Sequence, residues 1–383
     1  LDLDWGGFVY KVRKIEDSVV KIVNGEQKPV TGKAVKLLSM GELCIKTCYM
    51  EQPTMAATMA ATMAATGPVN EPANAHKDIP GNPSTSKTSK VKLNDRSNGE
   101  PLRVLSEADW QFWIHNGYIV VKNAVPREQV ARLADFLWEF EEKDARDPAT
   151  WYTPPRAEMK MKELTNTGMV EVYNHQYLWD NRQYPKVHEA FADIWGMEKL
   201  WVTIDRANLN FPIRPGYEYK GFIHWDYDPE TRPQNVQGVL ALADQTDEHM
   251  GGFQCVPELY RTYDSWKLTQ PEDRDHFKPD VTGFEIVKVP MEAGDLLIFN
   301  STQPHGIRAN TSGDKVRMAQ YISMMPAEED NEVLREWRIS SWRERRAPEG
   351  YAFPGDPRKL EQTKYGTAEL SPLGRKLLGL DRW

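Results

Sequence analysis

The chain has 383 residues, of which 40% are apolar and 27% charged, as in an ordinary soluble globular protein. Its net charge of −8 argues against a dedicated nucleic-acid binder. No run approaches the roughly 18 apolar residues of a membrane helix, and three cysteines exclude a disulfide scaffold.

Residues 1–100 read as a low-complexity or disordered extension. Twelve of the thirteen tryptophans lie after residue 100, and 51–100 contain no Phe, Trp or Tyr. Such a stretch cannot bury enough surface to offset its ordering entropy. Within it, Val19-Val20-Lys21-Ile22-Val23 before Asn24-Gly25 predicts a strand entering a tight turn, with a weak partner because Pro29 interrupts it. Cys44 and Cys48 lack the second pair that a structural zinc site needs. Met55-Ala-Ala-Thr recurs at Met59 and Met63 as a low-complexity repeat. The few cysteines fit a reducing compartment, so the expected location is the cytoplasm, with organelle targeting an open alternative. A chain beginning near Pro101 is expected to keep its fold and activity.

Residues 101–326 carry the working domain. Ser106 caps a helix through Trp110 and Trp113 that ends at Gly117, and Tyr118-Ile119-Val120-Val121 reads as a short buried strand. Pro126 opens a helix with Val130, Leu133, Leu137 and Trp138 on one face. From Leu200 the period changes to two: Leu200, Val202 and Ile204 predict a half-buried strand. Further strands are expected at 219–226, 236–243, 253–256, 284–289, 296–299 and 317–324, separated by Gly- or Pro-bearing turns. The class is mainly β with flanking helices, a sandwich or barrel. Residues 327–383 form a charged, partly helical tail. Ser371-Pro372 opens its last helix, Gly379 closes it, and Trp383 suggests docking on the same domain.

The chemistry concentrates in His224-Trp225-Asp226. On a strand, positions i and i+2 share a face, so imidazole and carboxylate would stand side by side with Trp225 turned away. His-x-Asp alone is a weak signal. It gains weight from Gly294-Asp295-Leu-Leu-Ile-Phe299, a turn and buried strand leading to Pro304-His305-Gly306 and Arg317. Two histidines and one carboxylate leave three coordination positions open, the donor set of non-haem iron oxygenases. A buried arginine could clamp the carboxylate of a cosubstrate.

Together these segments, with Phe112-Trp-Ile-His-Asn-Gly117-Tyr118 and Gly251-Gly-Phe-Gln-Cys-Val-Pro257, resemble the phytanoyl-CoA dioxygenase family of Fe(II)/2-oxoglutarate oxygenases. The resemblance implies a double-stranded β-helix (jelly roll, cupin-like). It implies His224, Asp226 and His305 as iron ligands, and Arg317 as the partner of 2-oxoglutarate. It also implies O2 as cosubstrate and conversion of 2-oxoglutarate to succinate and CO2 with hydroxylation of a small organic substrate. Asp226 is intact, unlike in the halogenase variant. The family usually follows its Pro257 equivalent with Gly-Ser-His. Here Glu258-Leu259-Tyr260 stand in that substrate-side loop, so a CoA thioester is not assumed. The alternatives are a cupin-like Zn or Mn hydrolase or isomerase, and a non-catalytic jelly-roll binding module. The expected partner is a small molecule, with no nucleic acid or membrane.

Other candidates carry less. His175, His249 and His276 read as exposed loop histidines. Arg206, Asn208 and Asn210 alternate and could face either the barrel interior or solvent. Cys255 reads as a small buried hydrophobe. Arg308, three residues past His305, lies in a segment that reads as turn and should point to solvent or the site mouth.

Overall fold

The computed structural model describes residues 82, 84–85, 90–154, 156–158, 167–214, 221–231, 234–348 and 353–383, together with the backbone of four strands between residues 2 and 30. The chain divides into two compact units, Leu1–Val69 and Asn70–Trp383.

In the first unit, β1 (Asp2–Trp5), β2 (Phe8–Ile15), β3 (Ser18–Val23) and β4 (Glu26–Val30) form an antiparallel meander. Val23 pairs with Glu26 at the end of the β3–β4 ladder, and the turn expected at Asn24-Gly25 lies outside the described residues. Pro29 is accommodated because β4 is an edge strand, where a missing N–H breaks no second ladder. The extension is therefore not uniformly low in structure. Cys44, Cys48 and the Met-Ala-Ala-Thr repeat lie outside the described residues.

The second unit is built on two facing antiparallel sheets. The larger runs β5-β12-β9-β14-β8-β6, from β5 (Tyr118–Val121), β12 (Leu296–Asn300), β9 (Val236–Ala241), β14 (Arg317–Tyr321), β8 (Ala207–Asn210) and β6 (Met169–Val170). The smaller runs β11-β10-β13, from β11 (Val287–Lys288), β10 (Gly252–Cys255) and β13 (His305–Arg308). A separate ribbon joins β7 (Leu200–Val202) to β15 (Met324–Pro326).

Strand parity sorts the side chains of the larger sheet. Ile119, Leu240, Leu296, Ile298, Met318 and Ile322 turn to one face and enter the main core with the helices. Val239, Ala241, Leu297, Phe299 and Ala319 turn to the other and meet Phe253 and Cys255 of the smaller sheet. Both faces are covered, which explains why β12 reads as an unbroken apolar run.

The helices on the outer face are α1 (Glu107–Asn116), α2 (Arg127–Phe140), α3 (Gln176–Arg182) and α4 (Pro185–Trp195). Ser106 and Asp109 form a capping box on α1, and Gly117 ends it at φ 70°. α3 and α4 were not expected from the sequence. Val187, Ala190, Phe191 and Ile194 do carry the spacing of a buried helical face, opened by Pro185 and closed by Gly196. A fifth helix, α5 (Pro257–Trp266), replaces the substrate-side loop expected at Glu258-Leu259-Tyr260. Pro257 occupies its first turn, and Leu259 and Trp266 are buried in a satellite core with Ile223, Trp225 and Val256.

Three strand expectations need correction. Among the described residues of 219–226, only His224 makes a ladder contact, an isolated bridge to His305. The run 317–324 splits, because its end leaves the large sheet to pair with β7. β7 is buried on both faces: Trp201 lies under the Arg338 guanidinium, 5.0 Å from the ring centroid.

Arg338 belongs to the tail, which comprises α6 (Glu332–Glu344), α7 (Leu360–Thr363) and α8 (Pro372–Leu378). Its buried guanidinium donates to the carbonyls of Val202 (2.7 Å), Leu377 (2.9 Å), Leu378 (2.9 Å) and Ser84. Trp383 donates from its indole to Leu200 O at 3.1 Å and stacks on His188. Among the described residues no helix is long and apolar enough to cross a membrane.

The boundary drawn at residue 100 is too late. Leu93 is buried, Trp113 Nε1 donates to Asn94 Oδ1 at 2.7 Å, and Ile204 N donates to Ser84 Oγ at 2.9 Å. Composition missed this because the segment contributes mainly hydrogen bonds to the domain and little apolar area. A chain beginning at Pro101 is therefore expected to be less stable than one beginning at Asn70. The loss is on the order of 3 kcal/mol, from one buried and one part-buried hydrogen bond and one leucine. Thermal unfolding of the two chains checks this; equal midpoints would restore the boundary at 100.

Candidate active site

His224 and His305 meet because their backbones bond to each other. His224 N donates to His305 O at 2.8 Å, and His305 N donates to His224 O at 3.0 Å. The approach requires glycine at 306, where a Cβ would fall 1.8 Å from Phe222 O. The indole N–H of Trp225, turned away from the site and buried, donates to Thr302 O at 2.9 Å. This ties the His224–Asp226 segment to the loop that leads into β13.

Three side chains converge from this frame. His224 Nε2 lies 3.3 Å from Asp226 Oδ1, and His305 Nε2 lies 3.4 Å from Asp226 Oδ2. One donor atom from each residue lies within 4.8 Å of the other two. His305 Nδ1 is 3.0 Å from Gln303 O, which assigns its proton to Nδ1 and leaves the Nε2 lone pair facing the cluster. Gln237, which parity turns inward from β9, donates from Nε2 to Asp226 Oδ2 at 2.5 Å. Burial raises the Asp226 pKa, but the imidazoles of His224 and His305 outweigh it and hold the carboxyl well below its usual range. Phe299 and Phe253 flank His305, with ring centroids at 4.5 and 5.8 Å. Two imidazole nitrogens and a carboxylate converging on one point form a donor set that could hold a divalent metal.

Arg317 stands on the inward face of β14, only 1% exposed. Its Nε donates to Gln245 Oε1 at 3.1 Å and its Nη1 to Asn208 Oδ1 at 2.9 Å. Among the described residues its Nη2 is buried without a hydrogen-bond partner, and both partners of the guanidinium are neutral amides. A buried cation in that state calls for an anion. Arg308 differs. It lies on β13 and not in a turn, on the opposite parity to His305, and is already paired with Gln254 Oε1 (3.2 Å) and Glu248 (2.9 Å).

The remaining candidates separate. Arg206 and Asn208 are buried; Arg206 pairs with Glu171 at 2.8 Å and is held in the core. Asn210 is half-buried. His175 is not an exposed loop residue: it caps α3 and stacks on Phe136 at 3.8 Å, and burial lowers its pKa to about 4. His249 is exposed, and His276 lies 3.2 Å from Asp228, away from the triad. Cys255 is fully buried, and burial pushes its thiol pKa up. Sequence reasoning missed Gln237 and Gln245. Gln237 precedes the inward Val239 by two residues, so parity could have found it.

Comparison with known proteins agrees with this architecture. Residues 113–319 match the Phytanoyl-CoA dioxygenase (PhyH) family. A relative from Aspergillus versicolor, "Ava biosynthesis cluster protein O", is 25% identical over 246 residues, covering 57% of this chain and 77% of its own. A protein of Dictyostelium discoideum named "Putative phytanoyl-CoA dioxygenase" is 23% identical over 270 residues, covering 58% of this chain and 76% of its own. The solved structure of GlcNAc Inducible Gene 2 from Candida albicans shares the fold at 13% identity with a TM-score of 0.52, over 73% of this chain and 77% of that one. The family match spans more than half of the sequence, from within α1 into β14, and takes in all four candidate residues. The chain belongs to the phytanoyl-CoA dioxygenase family and is an oxygenase-type enzyme.

Proposed function

We propose that the protein is an Fe(II)- and 2-oxoglutarate-dependent dioxygenase that hydroxylates a small organic substrate. The observation that carries this reading is the buried Arg317 guanidinium with an unpartnered Nη2, on the inner face of the same barrel as the cluster of two histidines and a carboxylate. His224, Asp226 and His305 would hold the metal, and three donors leave room for a chelating 2-oxo acid and O2. Bound iron with O2 would supply the oxidation, with 2-oxoglutarate converted to succinate and CO2.

The chain's own contributions follow from its contacts. Gln303 O fixes the His305 tautomer so that Nε2 stays a lone-pair donor. Gln237 restrains the Asp226 carboxylate. Phe253 and Phe299 keep water from the flanks of His305. Arg317 would receive the distal carboxylate of the cosubstrate as a charge-assisted pair.

Protein incubated with Fe(II), 2-oxoglutarate and O2 should release succinate slowly without any prime substrate, and a substrate screen should find molecules that raise that rate. Metal uptake without succinate would favour the hydrolase or isomerase alternative. Neither metal uptake nor succinate would favour a binding module.

A further inference from the structure

Among the described residues Arg317 is held only by neutral groups, and those groups are locked in one orientation. Asn208 donates from Nδ2 to Thr167 O at 3.0 Å, so its oxygen must face the guanidinium. Gln245 donates from Nε2 to Met318 O at 3.2 Å, with the same consequence for its oxygen. Both residues are buried, at 1% and 0% exposure. A carboxylate in either place would bond the arginine more strongly, because a charge-assisted bond is about twice as strong as a neutral one. Yet it would leave no net positive charge for a second anion, and the low dielectric would make the two carboxylates repel. An amide gives the arginine a fixed direction and leaves its charge unspent.

We infer that Asn208 and Gln245 are positioning residues that aim Arg317 without neutralising it, so that the charge of the pocket is completed only by the carboxylate of the bound 2-oxo acid. This rests on the proposed function. It goes further in saying why these two side chains are amides, and it predicts an order of effects that a packing role would reverse. Asn208→Asp keeps the size of the side chain, so packing alone would leave it the milder change, whereas Asn208→Ala opens a cavity. If charge decides, Asn208→Asp is the worse of the two.

The test adds Mn(II) to the full chain without O2, so that no turnover consumes the cosubstrate, and titrates 2-oxoglutarate by calorimetry. Asn208→Asp should weaken 2-oxoglutarate binding ~30-fold or more, as expected when a buried charge pair is lost. Asn208→Ala should weaken it only about 3-fold, the scale of one neutral hydrogen bond. Mn(II) affinity should stay within about 2-fold of the unaltered chain in both, since neither residue touches the metal cluster. Gln245→Glu is a second charge variant at an independent position, and covers the case in which Asn208→Asp does not fold. Binding by the charge variants equal to that of the unaltered chain, or a larger loss in Asn208→Ala than in Asn208→Asp, would overturn the inference while leaving the proposed function standing. Failure of the unaltered chain to bind 2-oxoglutarate at all would remove both.

Discussion

Arg317→Ala should raise the apparent 2-oxoglutarate requirement by 30-fold to several thousand-fold while metal binding stays intact. The guanidinium is 1% exposed, so no water replaces it when the cosubstrate carboxylate enters the pocket. Losing one partner of a buried charge pair costs about 2–5 kcal/mol, which converts to that range of affinity. The metal cluster is built by other residues, so metal content should not fall. Arg308→Ala serves as the control. Its head is partly exposed and already paired with Glu248, itself exposed, and such pairs contribute about 0–1 kcal/mol. Titration of 2-oxoglutarate against both variants decides the matter: a large shift in Arg308→Ala with little in Arg317→Ala would reassign the clamp.

His224→Ala, Asp226→Ala and His305→Ala should each abolish turnover and leave the fold intact. The three side chains meet around one point, and two remaining donors hold a divalent cation far more weakly than three. The fold does not depend on them in the same way, because the frame is made by backbone bonds between 224 and 305 and by Trp225 in its satellite core. Asp226→Ala should cost the apo protein stability near neutral pH and leave it level with the unaltered chain in acid. Its folded carboxyl titrates well below the usual range, so it contributes stability above the unfolded carboxylate pKa that is lost as pH falls through the folded value. Metal content, succinate release and a thermal scan of each variant provide the readings. One variant with near-normal turnover and iron content would remove that residue from the ligand set.

Much of this site was legible before the structure. His224 and Asp226 stand two apart, and His305 follows a buried strand. These are local facts, and the open donor set they imply is general chemistry. The alternation Arg317, Ala319, Tyr321 was enough to turn Arg317 inward, because a strand has a period of two whatever sheet it joins. The caps at Ser106, Gly117, Ser371 and Gly379 were equally local: hydroxyl and glycine satisfy helix ends within a few residues of themselves.

The amide partners were not legible. Gln245 and Asn208 lie 72 and 109 residues from Arg317 in the chain, and nothing in their neighbourhoods marks them. The same holds for the close approach that requires Gly306 and for the contacts of Ser84, Leu93 and Asn94 with the domain, whereas strand parity turns Gln237 inward but does not place it beside Asp226. The sequence alone determined which residues could do chemistry and which way each strand turns its side chains, since both depend on residue type and backbone period. The tertiary structure alone decided which distant groups meet those residues, and so whether a buried charge is cancelled or left available. Those contacts join side chains from separate strands, and their partners are selected by the packing of whole sheets, which no short stretch of sequence encodes.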